Sequence, residues 1–156
     1  MHPLLHPSFI DFCAYFNGNQ DYFECHEVLE DYWKTIAPKE KEHPLTGYIQ
    51  LATGLYHWRR NNFRGASKML RRAYEKFIAN RNHPFFDYID FQRLCNDCLK
   101  ALDAIEKNKP FKAFPIQVAN PVLEEKINEK IKSLPPVSPQ FLLHKHMLRN
   151  RIDIQK

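Results

Sequence analysis

Three side chains that can bind a metal ion lie within five residues of one another in the segment YFECHEVLEDYW, residues 22–33. His26 and Glu30 are four residues apart, so on a helix they lie one above the other on the same face. The spacing is that of the HExxH motif with a carboxylate in place of the second histidine. In that motif the two ends bind a metal ion and the central glutamate handles the proton of the attacking water. We therefore predict that His26 and Glu30 bind a divalent metal ion and that Glu27 is the general base.

A third ligand is needed, because a catalytic zinc ion has three protein ligands and one open position. The next predicted helix carries Gly47, Gln50, Gly54 and His57 on one face, and two glycines there allow another helix to approach closely. If that neighbour is the antiparallel HExxE helix, His57 completes the ligand set and Gln50 orients the substrate. Two imidazoles and one carboxylate suit zinc, manganese or iron. The leading hypothesis is thus a small metal-dependent hydrolase.

The same residues also suit a purely structural role, in which the polar cluster is buried and its members satisfy one another. The pairs this interpretation predicts are Glu30 with His57, Gln50 with the indole of Trp33, and Glu27 with Arg71 or Arg72. The protein would then be a non-catalytic interaction module. The sequence leaves both interpretations open.

The elements that must position these residues are predicted to be helices. Glycine is scarce, with 4 residues in 156, and apolar residues recur at helical spacing. Asp21 and Asn62 are predicted to cap helices, and Gly18 is predicted to end the first one. Short linkers predict antiparallel packing. The helices are expected at about 8–17, 21–36, 44–61, 63–80, 87–107 and 121–133.

The predicted fold is all-α, a compact bundle of about five to six antiparallel helices with tetratricopeptide-like hairpin packing. Its length predicts one domain, residues 1–156, with a core at about 7–107 and an irregular, proline-punctuated, basic extension at 108–156. Residues 1–106 carry 13 Lys and Arg against 14 Asp and Glu, whereas residues 107–156 carry 10 against 4. The extension has no basic stripe interleaved with aromatic residues, so the sequence does not favour nucleic acid as a partner. We expect a protein partner or a small-molecule substrate, and the aromatic content is compatible with a homodimer.

No apolar run reaches the roughly 20 residues that a membrane span needs, and the amino terminus has no secretion-signal pattern. We therefore expect a cytoplasmic protein whose four cysteines are reduced thiols. Cys95 and Cys98 form a CxxC pattern in the middle of a predicted helix rather than at its start. This position favours two small core residues over a redox pair.

Taken together, these motifs resemble the bacterial and archaeal family known as domain-of-unknown-function family 309. The resemblance covers about residues 7 to 80. It implies an all-helical, single-domain fold and the activity by which the family is labelled, that of a predicted metal-dependent hydrolase. The matching residues are Phe16, Asn17, Gly18, Tyr22, Phe23, His26, Glu27, Glu30, Trp33, Gly47, Ile49, Gln50, Ala52, His57, Asn62, Gly65 and Ala66.

Overall fold

The structure is a computed structural model that describes residues 1–135. Within these residues the predicted all-α fold is confirmed, and the one β-type pairing is an isolated antiparallel bridge between Ile89 and Val118. None of the helices described is long and apolar enough to cross a membrane. The six α-helices are α1 (Pro7–Ala14), α2 (Tyr22–Ile36), α3 (Pro44–Arg59), α4 (Phe63–Ala79), α5 (Phe91–Glu106) and α6 (Pro121–Ser133).

Asn and Asp side chains begin four of these helices. Asp21 caps α2 by accepting a hydrogen bond from the backbone N–H of Glu24, and Asn62 caps α4 in the same way. Both of these predicted caps are confirmed. Asp90 and Asn120 cap α5 and α6. Because Asp90 is the true cap, α5 begins at Phe91, four residues later than the sequence predicts.

Histidines followed by proline begin the remaining helical segments. In each case Nδ1 of the histidine ring accepts a hydrogen bond, 3.0–3.2 Å long, from the backbone N–H two residues later. The proline then occupies the first helical position, where a missing N–H has no consequence. Four His-Pro pairs act this way, at His2, His6, His43 and His83.

The end of the first helix differs from the prediction that Gly18 ends it as a C-terminal cap, a position where the left-handed conformation is common. Residues 15–19 form one wide helical turn, and the left-handed residue is Gln20, with φ of 52°. Gly18 instead provides space, since a Cβ there would lie 3.0 Å from Cγ1 of Ile131 on α6. The absence of a side chain at this position therefore serves helix packing and not chain reversal.

α3 is the central helix, with α2 and α4 packed antiparallel against it. The side chain of Arg59, at the end of α3, donates to the carbonyl of Gln20 just before α2 and stacks on the ring of Tyr22. On the other side, Gly47 and Gly54 face Phe77 and Leu70 of α4. The predicted hairpin packing is confirmed on both sides of α3.

The described part of the predicted extension packs on the body of the protein. The Asn17 amide exchanges two hydrogen bonds, of 3.0 and 2.8 Å, with the backbone of Ile116, which fixes the loop before α6. Ile116, Leu123 and Ile127 are buried in the core. The remainder of the extension, residues 136–156, lies outside the described part of the chain.

All four cysteines are buried free thiols. Cys95 is 7% exposed and Cys98 is fully buried, which places both in the core, as the position of the CxxC pattern within the helix predicts. Burial raises the pKa of both thiols, so the reactive thiolate is disfavoured.

Candidate metal centre

The apolar face of α2 determines which of its polar residues reach solvent. Tyr22, Cys25, Leu29 and Tyr32 recur at helical spacing and are buried against the core. The opposite side of the helix presents His26, Glu27 and Glu30, whose side chains are 35%, 45% and 33% exposed. The cluster is therefore half-buried and accessible to a ligand.

The His26 ring lies between two carboxylates. Its Nδ1 is 3.3 Å from Oε1 of Glu27, and its Nε2 is 3.4 Å from Oε2 of Glu30. One ligand atom from each of the three side chains can be chosen so that all lie within 4.8 Å of one another. Among residues 1–135, this is the one group of three or more His, Cys, Asp or Glu side chains that meets that distance.

The donor set fits a divalent ion. Two ligand atoms that are each about 2.0–2.1 Å from a tetrahedral metal ion are about 3.3 Å apart. The separation between Nε2 of His26 and Oε2 of Glu30 is 3.4 Å, so these two atoms have the spacing of neighbouring ligands. The contact of Nδ1 with Glu27 is also the contact that commonly orients a metal-binding histidine from behind.

Lys34 is a residue of this centre that the sequence argument missed, although it is four residues beyond Glu30. Its ammonium lies 3.0 Å from Oε1 of Glu30, the oxygen that does not face His26. Hydrogen bonding to Glu30 raises the pKa of Lys34 and keeps it charged. The ammonium of Lys34 offsets part of the negative charge of the Glu27 and Glu30 carboxylates, and a cation could offset the rest.

His57, the predicted third ligand, is not brought to the other three. The glycine-bearing face of α3 packs against α4 and not against α2. The helix that approaches α3 closely at these glycines is therefore α4. His57, near the end of α3, packs against the start of α4. Its Nδ1 is 3.3 Å from the side-chain amide nitrogen of Asn62, and its ring faces Gly65. The close approach predicted from the glycines occurs, but with the other neighbour of α3.

Gln50 lines a groove of about 730 Å³ between α2, α3 and α4. Glu30 lines the same groove, so one ligand of the candidate centre borders it directly. Oε1 of Gln50 is buried and has no hydrogen-bond partner among residues 1–135. A bound molecule with an N–H or O–H group could satisfy it. The other lining residues are Trp33, Lys41, Glu42, Thr46, Ile49, Arg72, Glu75, Lys76 and Ala79.

The specific pairs of the structural interpretation do not form as predicted. The Trp33 indole donates to the backbone carbonyl of Glu40 and not to Gln50. Arg71 pairs with Glu106 on α5. Glu27 and Glu30 both contact His26, within a single helix.

Fold and site together describe a small all-helical protein with a solvent-accessible His/Glu cluster at the edge of an interhelical groove. The chain belongs to the family defined by the domain of unknown function DUF309, whose model matches residues 9–69. It is 33% identical over 154 residues to the uncharacterized protein YpuF of Bacillus subtilis (strain 168), an alignment that covers 94% of this chain and 88% of that protein. No solved structure matches the chain. The resemblance drawn from the sequence motifs is thereby confirmed.

Proposed function

We propose that the protein is a metal-dependent hydrolase whose centre is the His26–Glu27–Glu30 cluster on α2. The observation that supports this most strongly is the placement of three ligand-type side chains within 4.8 Å, at the accessible rim of a groove large enough for a small molecule. Zinc, manganese and iron are the ions that suit an imidazole together with carboxylates.

In this proposal His26 and Glu30 hold the ion through Nε2 and Oε2, the two atoms 3.4 Å apart. A divalent ion supplies Lewis-acid polarisation of a carbonyl or phosphoryl oxygen when bound. Two protein ligands leave several positions to water and substrate, an arrangement that suits an ion shared with an anionic substrate group. Lys41, Arg72 and Lys76 line the groove and favour such an anion.

Glu27 has the role of general base. Its carboxylate contacts Nδ1 of His26, which fixes the ring with Nε2 directed at Glu30. Because Oε1 contacts the ring and the side chain remains 45% exposed, Oε2 is the oxygen that can accept a proton from water and return it to the leaving group. Gln50 lies in the groove, where its unpartnered oxygen can accept a hydrogen bond from the substrate and orient it.

We predict that Glu27→Gln removes hydrolysis while metal binding is retained. Loss of a general base lowers the rate by about 10²–10⁴-fold, whereas the isosteric amide leaves His26 and Glu30 in place. The measurement is turnover of p-nitrophenyl acetate, p-nitrophenyl phosphate and bis(p-nitrophenyl) phosphate with added manganese or zinc, alongside metal content. Asp31→Asn is the matched control, because Asp31 is an exposed carboxylate on the same helix outside the cluster.

The proposed activity would be refuted by wild-type protein that hydrolyses none of these probes faster with metal than with EDTA. Equal turnover by wild type and Glu27→Gln would refute the role of Glu27. A parallel loss of metal and turnover in Glu27→Gln would make Glu27 a ligand and not the base.

A further inference from the structure

The outer face of α4 is strongly basic. Four cationic side chains and one serine line a shallow depression of about 500 Å³ there, with Glu75 as the one acidic lining residue. The basic residues and the serine are Arg64, Ser67, Lys68, Arg71 and Arg72. We call this surface the α4 basic face.

Most of this positive charge is not neutralised within the described chain. Arg71 pairs with Glu106 at 3.0 Å, and both of these side chains are more than half exposed. Arg64, Lys68 and Arg72 have no carboxylate within ion-pair distance among residues 1–135. An unneutralised cationic surface attracts an anionic partner.

The unpaired cations are regularly spaced. Arg64, Lys68 and Arg72 follow one another at intervals of four residues, so they form a row on one side of the helix with steps of about 6 Å. A nucleic-acid strand carries one phosphate at every nucleotide, and it therefore matches a regular row better than a protein, whose acidic residues are placed individually. Arginine adds a planar fork that fits phosphate oxygens, and the Ser67 hydroxyl can donate to one as well.

From this charge complementarity we propose that the α4 basic face binds the phosphodiester backbone of nucleic acid. No aromatic side chain and no Asn or Gln is among the residues that line the depression. Base stacking and base-edge hydrogen bonds are thus missing from its lining, and the binding is independent of sequence. Arg72 and Glu75 also line the groove that Glu30 borders, so the strand lies next to the candidate metal centre.

The sequence did not favour nucleic acid, because the basic extension has no basic stripe interleaved with aromatic residues. Charge counted along the chain also gave no sign of a basic surface in the helical core. Over residues 1–106 acidic and basic residues nearly cancel, with 14 against 13. The fold separates them, since α4 directs its cations to one exposed surface while the acidic residues of α2 lie beyond the groove. The four-residue spacing is visible in the sequence, but only the fold shows that no acidic side chain of another described element neutralises Arg64, Lys68 or Arg72.

The test is fluorescence anisotropy of a labelled single-stranded 20-mer of deoxythymidine, titrated with the full chain in EDTA at 50–200 mM salt. The variant is Arg64→Gln/Lys68→Gln, and the matched control is Lys126→Gln/Lys132→Gln, which removes the same charge from exposed positions of α6. Each phosphate contact with single-stranded nucleic acid contributes about 0.7 to the slope of log K against log salt. We expect the α4 variant to bind more weakly than the control and to lose about 1.4 of that slope.

Several results would overturn this proposal. They are the absence of binding by wild type at 50 mM salt, an equal loss in both variants, or unchanged binding by the α4 variant. Polyglutamate of matched charge that competes as well as the unlabelled 20-mer would show that the surface recognises acidic polypeptide. Because EDTA is present throughout, these outcomes do not depend on the proposed hydrolase activity. Circular dichroism of each variant verifies that the helices are retained.

Discussion

Gly54→Ala is expected to lower the free energy of unfolding by about 1–3 kcal/mol, the usual cost of forcing an extra methyl group into a packed core. Alanine normally stabilises a helix relative to glycine by about 1 kcal/mol, so the direction of this effect is diagnostic. A Cβ at Gly54 would overlap Cδ2 of Leu70 and lie 3.2 Å from the Leu70 backbone nitrogen. Leu70 is fully buried, so its side chain cannot move aside into solvent. Urea-induced unfolding followed by circular dichroism measures the change.

The second substitution Leu70→Ala provides the control for this prediction. It removes the atoms that a Cβ at Gly54 meets, so the double variant Gly54→Ala/Leu70→Ala should be more stable than the sum of the two single effects predicts. A Gly54→Ala protein that is as stable as wild type, or more stable, would show that α3 and α4 are not as close as described.

Stability is also expected to fall as the pH is lowered from 7.5 to 5.5, because His43 and His83 each cap a helical segment. Each of these two caps uses the Nδ1 lone pair of a neutral ring, and protonation of Nδ1 removes the acceptor. Loss of an N-cap costs about 0.5–2 kcal/mol. The effect falls on the start of α3 and on the 3₁₀ turn Pro84–Phe86.

The direction follows from the pKa values of His43 and His83. Burial lowers the pKa of both rings. Nearby carboxylates oppose this lowering: Glu40 raises the pKa of both, and Asp87 also raises that of His83. The two rings are 5.1 Å apart, and repulsion from His83 lowers the pKa of His43 further. A lowered pKa in the folded state means that the unfolded chain binds protons first. Stability is therefore complete above about pH 6.5 and is lost as the pH falls from there through the folded-state values.

The variant His43→Asn/His83→Asn tests this origin. Asparagine also caps helices but does not titrate in this range, so the double variant should lose less stability than wild type between pH 7.5 and 5.5. Asn120→Ala is the matched control, since it removes the cap of α6. It should lower the free energy of unfolding by the same amount at both pH values. If the double variant and wild type lose equal stability on acidification, the histidine caps are not the cause of the acid-induced loss of stability.

Much of the helical fold could be predicted from local chemistry. Asp21 and Asn62 as caps, together with regular apolar spacing, placed the helices within a few residues. Gly18 was misjudged because glycine serves both chain reversal and close packing, and sequence alone does not separate the two. The histidine caps were missed, although four His-Pro pairs in 156 residues were a visible signal.

The candidate site was predictable only where it is local. His26, Glu27 and Glu30 belong to one helix, so helical periodicity was sufficient to bring them together. Placing His57 correctly requires knowing which neighbouring helix packs against the glycine-bearing face of α3. Both α2 and α4 are antiparallel neighbours of α3, and the linkers on both sides of α3 are short. Which of the two helices packs against the glycine face depends on packing across the whole bundle, and no local sequence pattern encodes that packing.

The most direct test of the metal centre is isothermal titration calorimetry of chelator-stripped protein with zinc and with manganese. The proteins compared are wild type, His26→Ala, Glu30→Gln, His57→Ala and the control Asp31→Asn. We expect one ion per chain for wild type, His57→Ala and Asp31→Asn, and loss of that ion in His26→Ala and Glu30→Gln. Loss of metal binding in His57→Ala as well would show that His57 is a ligand, as the sequence predicted. Wild-type protein that binds neither ion, or His26→Ala that binds as tightly as wild type, would contradict the account.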